Sequence, residues 1–197
     1  GASSGIGREI SRVLVEMGYE VYGFGREFPE EEVYFHPIVC DLLNTPELER
    51  QIKEIRRRNE VSLLVNNAGV GYYGLHEELN VQKIQKLVRT NLEVPMVLTN
   101  LLLRDLKKYS GTVINVSSVT AQLSNPHGCA YGATKAGLSS FSRSLFDEVR
   151  KYGVRVVTIQ PDMTKTGLYR NADFAQGEEE ASYLLPEVIA EAVRTIL

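Results

Sequence analysis

Tryptophan is absent from these 197 residues, and only two cysteines, Cys40 and Cys129, occur. Two sulfurs build neither a disulfide framework nor a cysteine metal cluster, so no metal site is expected. They read instead as two buried small hydrophobes in a reducing compartment, which points to the cytoplasm. A basic excess is also lacking: 22 lysines and arginines face 25 acids, for a formal net charge of −3. Nucleic-acid surfaces need clustered cations, so no nucleic-acid partner is expected. Apolar runs extend for only a few residues, and a membrane span needs about 20. No membrane partner is expected either. There is no internal repeat and no low-complexity linker, so residues 1–197 read as a single domain with a substantial core.

What is present is a rhythm of apolar and polar stretches. Ile10, Val13, Leu14 and Met17 recur at helical spacing within a helix from Ile6 to Met17, and Gly18 stops it. Short strands follow at Val21–Gly25 and Val33–Cys40. A charged helix runs from Pro46 to about Asn59, with Thr45 as its N-cap. "VSLLVNNAG" is a buried strand entering a polar turn, then a long helix spans Val81 to Tyr109 and "GTVINVSS" is the next strand. A helix over Tyr131–Tyr152, a strand over Val154–Gln160 and a helix over Leu185–Leu197 complete the series. Near-continuous apolar strands alternating with helices predict an α/β fold, a doubly wound parallel sheet covered on both faces. Residues 162–185 break the pattern, being polar and glutamate-rich. A long loop at the carboxyl end of a strand is expected to cover the substrate.

Three short motifs carry chemistry. In "GASSGIG", Gly1, Gly5 and Gly7 permit a tight turn and close approach of a pyrophosphate, with Ser3, Ser4 and Ile6 in the same loop. The helix that follows offers free N–H groups and a positive dipole end. "NNAG" places Asn67, Ala68 and Gly69 at a neighbouring strand end, facing the same ligand. In "YGATK", Tyr131 and Lys135 stand four apart on one helix face. An ammonium near a phenol favours the phenolate and lowers its pKa from about 10. Ser118, thirteen residues before Tyr131, ends a strand and can hold a carbonyl oxygen while the tyrosine transfers a proton. Asn91, by the residues alone, is a polar residue within a helix.

In order and spacing these motifs, with the later "QPDMTKT", resemble the classical branch of the short-chain dehydrogenase/reductase family across the whole chain. The resemblance implies a Rossmann-like fold and an oxidoreductase that interconverts carbonyls and alcohols with NAD or NADP. Its catalytic residues would be Asn91, Ser118, Tyr131 and Lys135. Tyr131 would be general acid and base, Lys135 would bind the nicotinamide ribose, Ser118 would orient the substrate and Asn91 would hold a relay water. Asp41, Leu42, Pro161, Thr164 and Thr166 would complete the cofactor site. Asp162 replaces the family's usual glycine after Pro161 and leaves the path of that turn open. The family's fold opens with a strand before the glycine loop and closes with one after the last helix. Neither is in this sequence, which therefore reads as part of a longer protein, expected to fold poorly alone.

Cofactor choice turns on Gly25, which stands where an acid would bind the 2′-hydroxyl of NAD. Arg26 follows and can fork onto the 2′-phosphate of NADP, with Ser3 adding a hydroxyl. An NADPH-dependent reductase of a ketone or aldehyde is therefore expected. The alternatives are NAD as cofactor, a 3-oxoacyl-carrier-protein reductase greeting its acidic carrier through Arg170, an enzyme of the epimerase/dehydratase branch, and a non-catalytic cofactor sensor. Leu168, Tyr169, Phe174, Tyr183 and Leu184 are candidates for an apolar substrate pocket. The resemblance also implies a homodimer or homotetramer built on the two long helices. Leu138, Phe141 and Leu145 recur on one of them, facing either outward or onto the sheet.

Overall fold

The computed structural model describes residues 1–28, 34–169 and 183–197. Helix α1 (Gly5–Glu16) buries Ile10, Val13 and Leu14, the residues whose spacing predicts it. Helix α2 (Thr45–Arg58) begins one residue earlier than Pro46. Its cap is Asn44 rather than Thr45, because the Asn44 side chain accepts the Glu47 N–H at 3.3 Å. Five strands follow the expected sites: β1 (Tyr22–Gly25), β2 (His36–Val39), β3 (Leu63–Asn66), β4 (Thr112–Val116) and β5 (Arg155–Ile159). Every pairing is parallel, β1 with β2, β3 with β4, and β4 with β5.

The alternation of β4 shows why both faces need helices. Val113 packs against Leu98, Leu102 and Leu106 of α4 (Val94–Lys108), Leu145 and Val149 of α5 (Cys129–Val149), and Leu48 and Ile52 of α2. Ile114 and Val116 point the other way, onto Ile10 and Val13 of α1 and Ala190 and Val193 of α6 (Pro186–Ile196). Residues two apart share a face, so one apolar strand serves two cores. Each fully buried Leu, Ile or Val contributes about 1.5–3 kcal/mol. The architecture is the Rossmann-like α/β fold. No described helix is long and apolar enough to cross a membrane.

Four details bear on the expectations. The strands form two sheets, β1-β2 and β3-β4-β5, as the lack of the strand expected before the glycine loop implies. A cavity of about 320 Å³ lies between β1 and β3, walled by Ile10 and Leu14 on one side and Leu98 and Leu102 on the other. Among the described residues no strand pairs across it. The helix expected from Val81 to Tyr109 is α3 (Val81–Val88), a π-helical turn (Arg89–Glu93) and α4. Cys129 is exposed at the start of α5, because only Cys40 falls on a core-facing position. Leu138 and Leu145 are buried and Phe141 packs on the same core, so these three face the sheet and not outward.

Candidate active site

The carboxyl ends of β1, β3, β4 and β5 converge on the glycine loop. Ser4 caps α1 without a side-chain hydrogen bond, and the first turn holds no acid, which leaves the helix N-terminus able to receive an anion. Glycine is required at position 7 by close approach: a Cβ there would lie 1.9 Å from Gly1 O and 2.5 Å from Asn67 Nδ2. Gly5 has a φ of +54°, the left-handed region that disfavours side chains. The loop is held from two sides. Ala2 N–H donates to Phe24 O at 2.9 Å, and Asn67 Nδ2 donates to Gly1 O at 3.2 Å.

Tyr131 and Lys135 lie one turn apart on α5, 4% and 5% exposed. Lys135 Nζ stands 5.8 Å from the Tyr131 ring centroid and donates to Val116 O at 2.8 Å. Ser118, beyond the end of β4, stands close enough to Tyr131 to draw its titration down. Its Oγ accepts from Thr120 N at 3.2 Å and from Thr120 Oγ1 at 3.0 Å, which fixes its rotamer. Ser117 donates to Lys135 O at 2.9 Å and pins α5 to β4.

Burial sets the ionisation here. It lowers Lys135 from 10.5 to about 8. Burial, followed by the Tyr169 phenol, holds Tyr131 above the usual tyrosine range, and the neighbouring Ser118 and Tyr73 hydroxyls draw it back. The expected lowering of Tyr131 by Lys135 does not dominate, because one Lys135 N–H is directed at the Val116 carbonyl and desolvation is the larger effect.

Asn91 sits in the π-helical turn and is fully buried. Its Oδ1 accepts from Val70 N at 2.8 Å, and its Nδ2 donates to Val70 O at 2.9 Å and Thr134 Oγ1 at 3.2 Å. The side chain thus clamps the turn after β3 to α5. One extra residue in a helical turn rotates the amide inward, a use of π-turns common at functional sites.

A cavity of about 590 Å³ gathers these groups. Gly1, Ser4, Gly5, Ile6, Arg26, Asn67, Ala68, Gly69, Ser118, Tyr131, Lys135, Pro161, Thr164 and Thr166 line it. Ser3, Gly7, Asp41, Leu42 and Asn91 do not. Ser3 packs beside Gly25, and Asp41 Oδ1 accepts the Leu43 N–H at 3.0 Å, turning the chain toward α2. Leu42 packs into the core. Asp162 solves its turn without a positive φ, its Oδ1 accepting the Met163 N–H at 2.8 Å. Leu168 and Tyr169 of the expected substrate loop reach the cavity, and Leu184 bridges to Thr164. Lys165 Nζ lies 5.1 Å from the Tyr183 ring centroid. Phe174 and Arg170 fall outside the described residues. Sequence reasoning missed Val70, Tyr72 and Lys86 on the cavity wall. "VGYYG", directly after the cofactor-facing turn, was the signal available for the first two.

The family model for short chain dehydrogenases matches residues 1–176. An NADPH-dependent 3-dehydrocapnine reductase of Ornithobacterium rhinotracheale is 31% identical over 187 residues, covering 87% of this chain and 66% of that enzyme. The chain therefore spans just under two thirds of that relative's length. A serine 3-dehydrogenase of Agrobacterium fabrum is 33% identical over 175 residues, covering 84% of this chain and 70% of its own. An alcohol dehydrogenase from the archaeon Thermococcus sibiricus, solved with 5-hydroxy-NADP, superposes with a TM-score of 0.86 at 27% identity. That match covers 100% of this chain and 87% of the archaeal one.

Proposed function

The chain belongs to the short-chain dehydrogenase family, and on that premise we propose that it is an NADPH-dependent reductase of a ketone or aldehyde. The observation that carries the reading is the meeting of Ser118, Tyr131 and Lys135 with the glycine loop around one cavity. A side chain at Gly7 would collide with Gly1 O and the Asn67 amide, so glycine there lets the start of α1 pack directly under the loop. The residues present fit a dinucleotide. The α1 N-terminus and glycine loop would take its pyrophosphate, Arg26 its 2′-phosphate, and Asn67–Gly69, Pro161, Thr164 and Thr166 its nicotinamide half.

When bound, NADPH supplies the hydride that reduces the carbonyl carbon. The chain's own residues handle the proton. The Ser118 hydroxyl orients the carbonyl oxygen, and Tyr131 Oη donates its proton to that oxygen as charge develops on it. In the reverse direction the same oxygen takes the alcohol proton. Lys135 holds positive charge beside the phenol and limits how far burial suppresses the phenolate. The Asn91 side chain is committed to Val70 and Thr134, so its contribution to a proton relay would run through its main chain.

A panel of small carbonyl compounds (cyclohexanone, ethyl acetoacetate, benzaldehyde) assayed for NADPH oxidation tests the activity. In Tyr131→Phe, NADPH binding by fluorescence stays near wild type, while kcat falls by about 10²–10⁴, the usual worth of a positioned acid–base group. Near-wild-type turnover in that variant removes Tyr131 from the mechanism.

A further inference from the structure

Behind the cavity wall runs a chain of polar side chains that take no part in the proton transfer. Gln122 Nε2 donates to Gln160 Oε1 at 2.7 Å, and Gln160 Nε2 donates to Ser139 Oγ at 3.3 Å. Ser139 Oγ and Ser117 Oγ lie 2.9 Å apart, and Ser117 donates to Lys135 O at 2.9 Å. A hydroxyl has one proton to donate. Ser117 commits its own to Lys135 O, so Ser139 is the donor between the two serines. All four bonds therefore run one way, from Gln122 to α5, and bonds in such a chain polarise one another. Ser117 and Ser139 are 3% and 5% exposed, so water does not compete for the inner links. Gln160 is half-buried just past β5, and Gln122 reaches it from the surface.

The chain brackets the reacting groups. Ser118 lies between Ser117 and Gln122, followed by the 3₁₀ turn Val119–Ala121. The inner end is the carbonyl of Lys135 itself, whose Nζ donates to Val116 O, next to Ser117. Gln160 precedes Pro161, which lines the cavity and whose carbonyl accepts the Val119 N–H at 3.1 Å. Three segments of the site are thus joined: the Ser118 turn, the helix that carries Tyr131 and Lys135, and the turn after β5. Apolar packing under α5, from Leu145 and Val149, is non-directional and does not set where the helix stops along its axis. Hydrogen bonds, with preferred lengths and angles, do.

We propose that Gln160 is a positioning residue, which through Ser139 and Ser117 fixes the Ser118 hydroxyl relative to Tyr131 and Lys135. The inference rests on the reading of those three residues as the reacting groups. Gln160 itself does not line the cavity. An amide suits the place because it offers an acceptor to Gln122 and a donor to Ser139 at once.

The test pairs Ser139→Ala with Gln160→Met in the full-length protein, assayed with NADPH and the panel of cyclohexanone, ethyl acetoacetate and benzaldehyde. A net neutral hydrogen bond is worth about 2- to 12-fold in an equilibrium. Each variant loses two, so kcat is expected to fall by about 4- to 100-fold, the upper end being what a misplacement of about 1 Å costs. KM for NADPH and its binding by fluorescence stay within about 2-fold of wild type, since only the alignment of the reacting groups is changed. Both side chains act through one chain, so the double variant is expected to be no slower than the slower single one, whereas independent damage would multiply the two losses. In the protein without cofactor, hydrogen exchange at residues 119–122 quickens, while that of residues 138–149 keeps its wild-type rate. Ser139→Ala removes one oxygen and suits a helix, so it decides the matter if Gln160→Met does not fold. A kcat within about 2-fold of wild type in Ser139→Ala, less than one hydrogen bond is worth, with Tyr131→Phe inactive, overturns the role of Gln160 alone. Multiplied losses in the double variant, or unchanged exchange at residues 119–122, do the same. Persistent activity in Tyr131→Phe overturns the underlying reading instead.

Discussion

At Gly25 a side chain would have to share its place with Phe28 and Ser3, whose atoms lie 2.9 and 3.2 Å from where its Cβ would be. The position that would carry an acid toward a ribose is thus closed as well as uncharged. Arg26 next to it is exposed and borders the cavity. A charge-assisted hydrogen bond to a phosphate is worth about 1.5–3 kcal/mol. Arg26→Ala is therefore expected to weaken NADPH by about 10- to 150-fold and to leave NADH nearly unchanged. The measurement is kcat/KM with both cofactors in wild type and variant, and a wild type that prefers NADH refutes the role of Arg26. At this scale the sequence reveals residue types and spacing but not environment. Tyr131, Lys135 and Ser118 are legible because each sits in a motif. That Lys135 donates to Val116 O, and that burial outweighs it at Tyr131, depends on neighbours from three separate strands and loops. Tyr73 was invisible for the same reason: nothing in "GYYG" says which tyrosine turns inward.

Elements were legible wherever one periodicity ruled a whole segment. Helices α1, α2, α5 and α6 lie within a few residues of their expected bounds, because a one-sided apolar stripe marks a helix that packs on a sheet. The π-helical turn was not legible. Its cause is the clamp between Asn91, Val70 and Thr134, which are far apart in the chain. A second tertiary clamp joins β3, β4 and α5. Asn66 Nδ2 donates to Asn115 Oδ1 at 2.8 Å, Asn115 Nδ2 donates to Ser142 Oγ at 2.8 Å, and Ser142 donates to Leu138 O at 2.7 Å. Asn115 is fully buried, so removing its amide leaves Asn66 Nδ2 only a 3.5 Å bond to Thr99 Oγ1 and takes from Ser142 Oγ its donor. Each stranded buried group costs about 1–3 kcal/mol. Asn115→Leu, close in size, is expected to lower stability by about 2–4 kcal/mol, read from the denaturant midpoint at unchanged slope. A loss below about 0.5 kcal/mol, the range of an ordinary surface change, argues that the ladder carries no net stability.

Among the described residues two of three apolar clusters lie one on each side of β3-β4-β5, the third gathering around Tyr73, Leu87 and Tyr131, and the first two hold most of the large hydrophobic side chains. Layering of this kind follows from strand composition, which is why the doubly wound arrangement was legible from the sequence. The break between β1 and β3 was legible too, since the resemblance places before the glycine loop a strand that this sequence lacks. What the layers leave outside bears on assembly. The inward stripe of α5 (Tyr131, Lys135, Leu138, Ser142, Leu145, Val149) is wholly occupied by the sheet and site. Its outward side carries Arg143, Asp147 and Glu148, with Phe146 standing among them 44% exposed. Leu138 and Leu145 are therefore unavailable to an interface, and Phe141 is half-buried against the core. A homo-oligomer using this helix would be polar at its rim, with Phe146 as the aromatic anchor, the residue class that dominates small interfaces. Light scattering of the full-length protein at micromolar concentration is then expected to give a dimer or tetramer. Phe146→Glu is expected to weaken it by at least about 30-fold, the equivalent of a 2 kcal/mol hot spot. A charged variant that keeps the oligomeric mass moves the interface away from α5. A monomeric wild type overturns the assembly itself, and because Phe146 lies about 22 Å along α5 from Tyr131, the turnover of Phe146→Glu then reports on the site independently of subunit contacts.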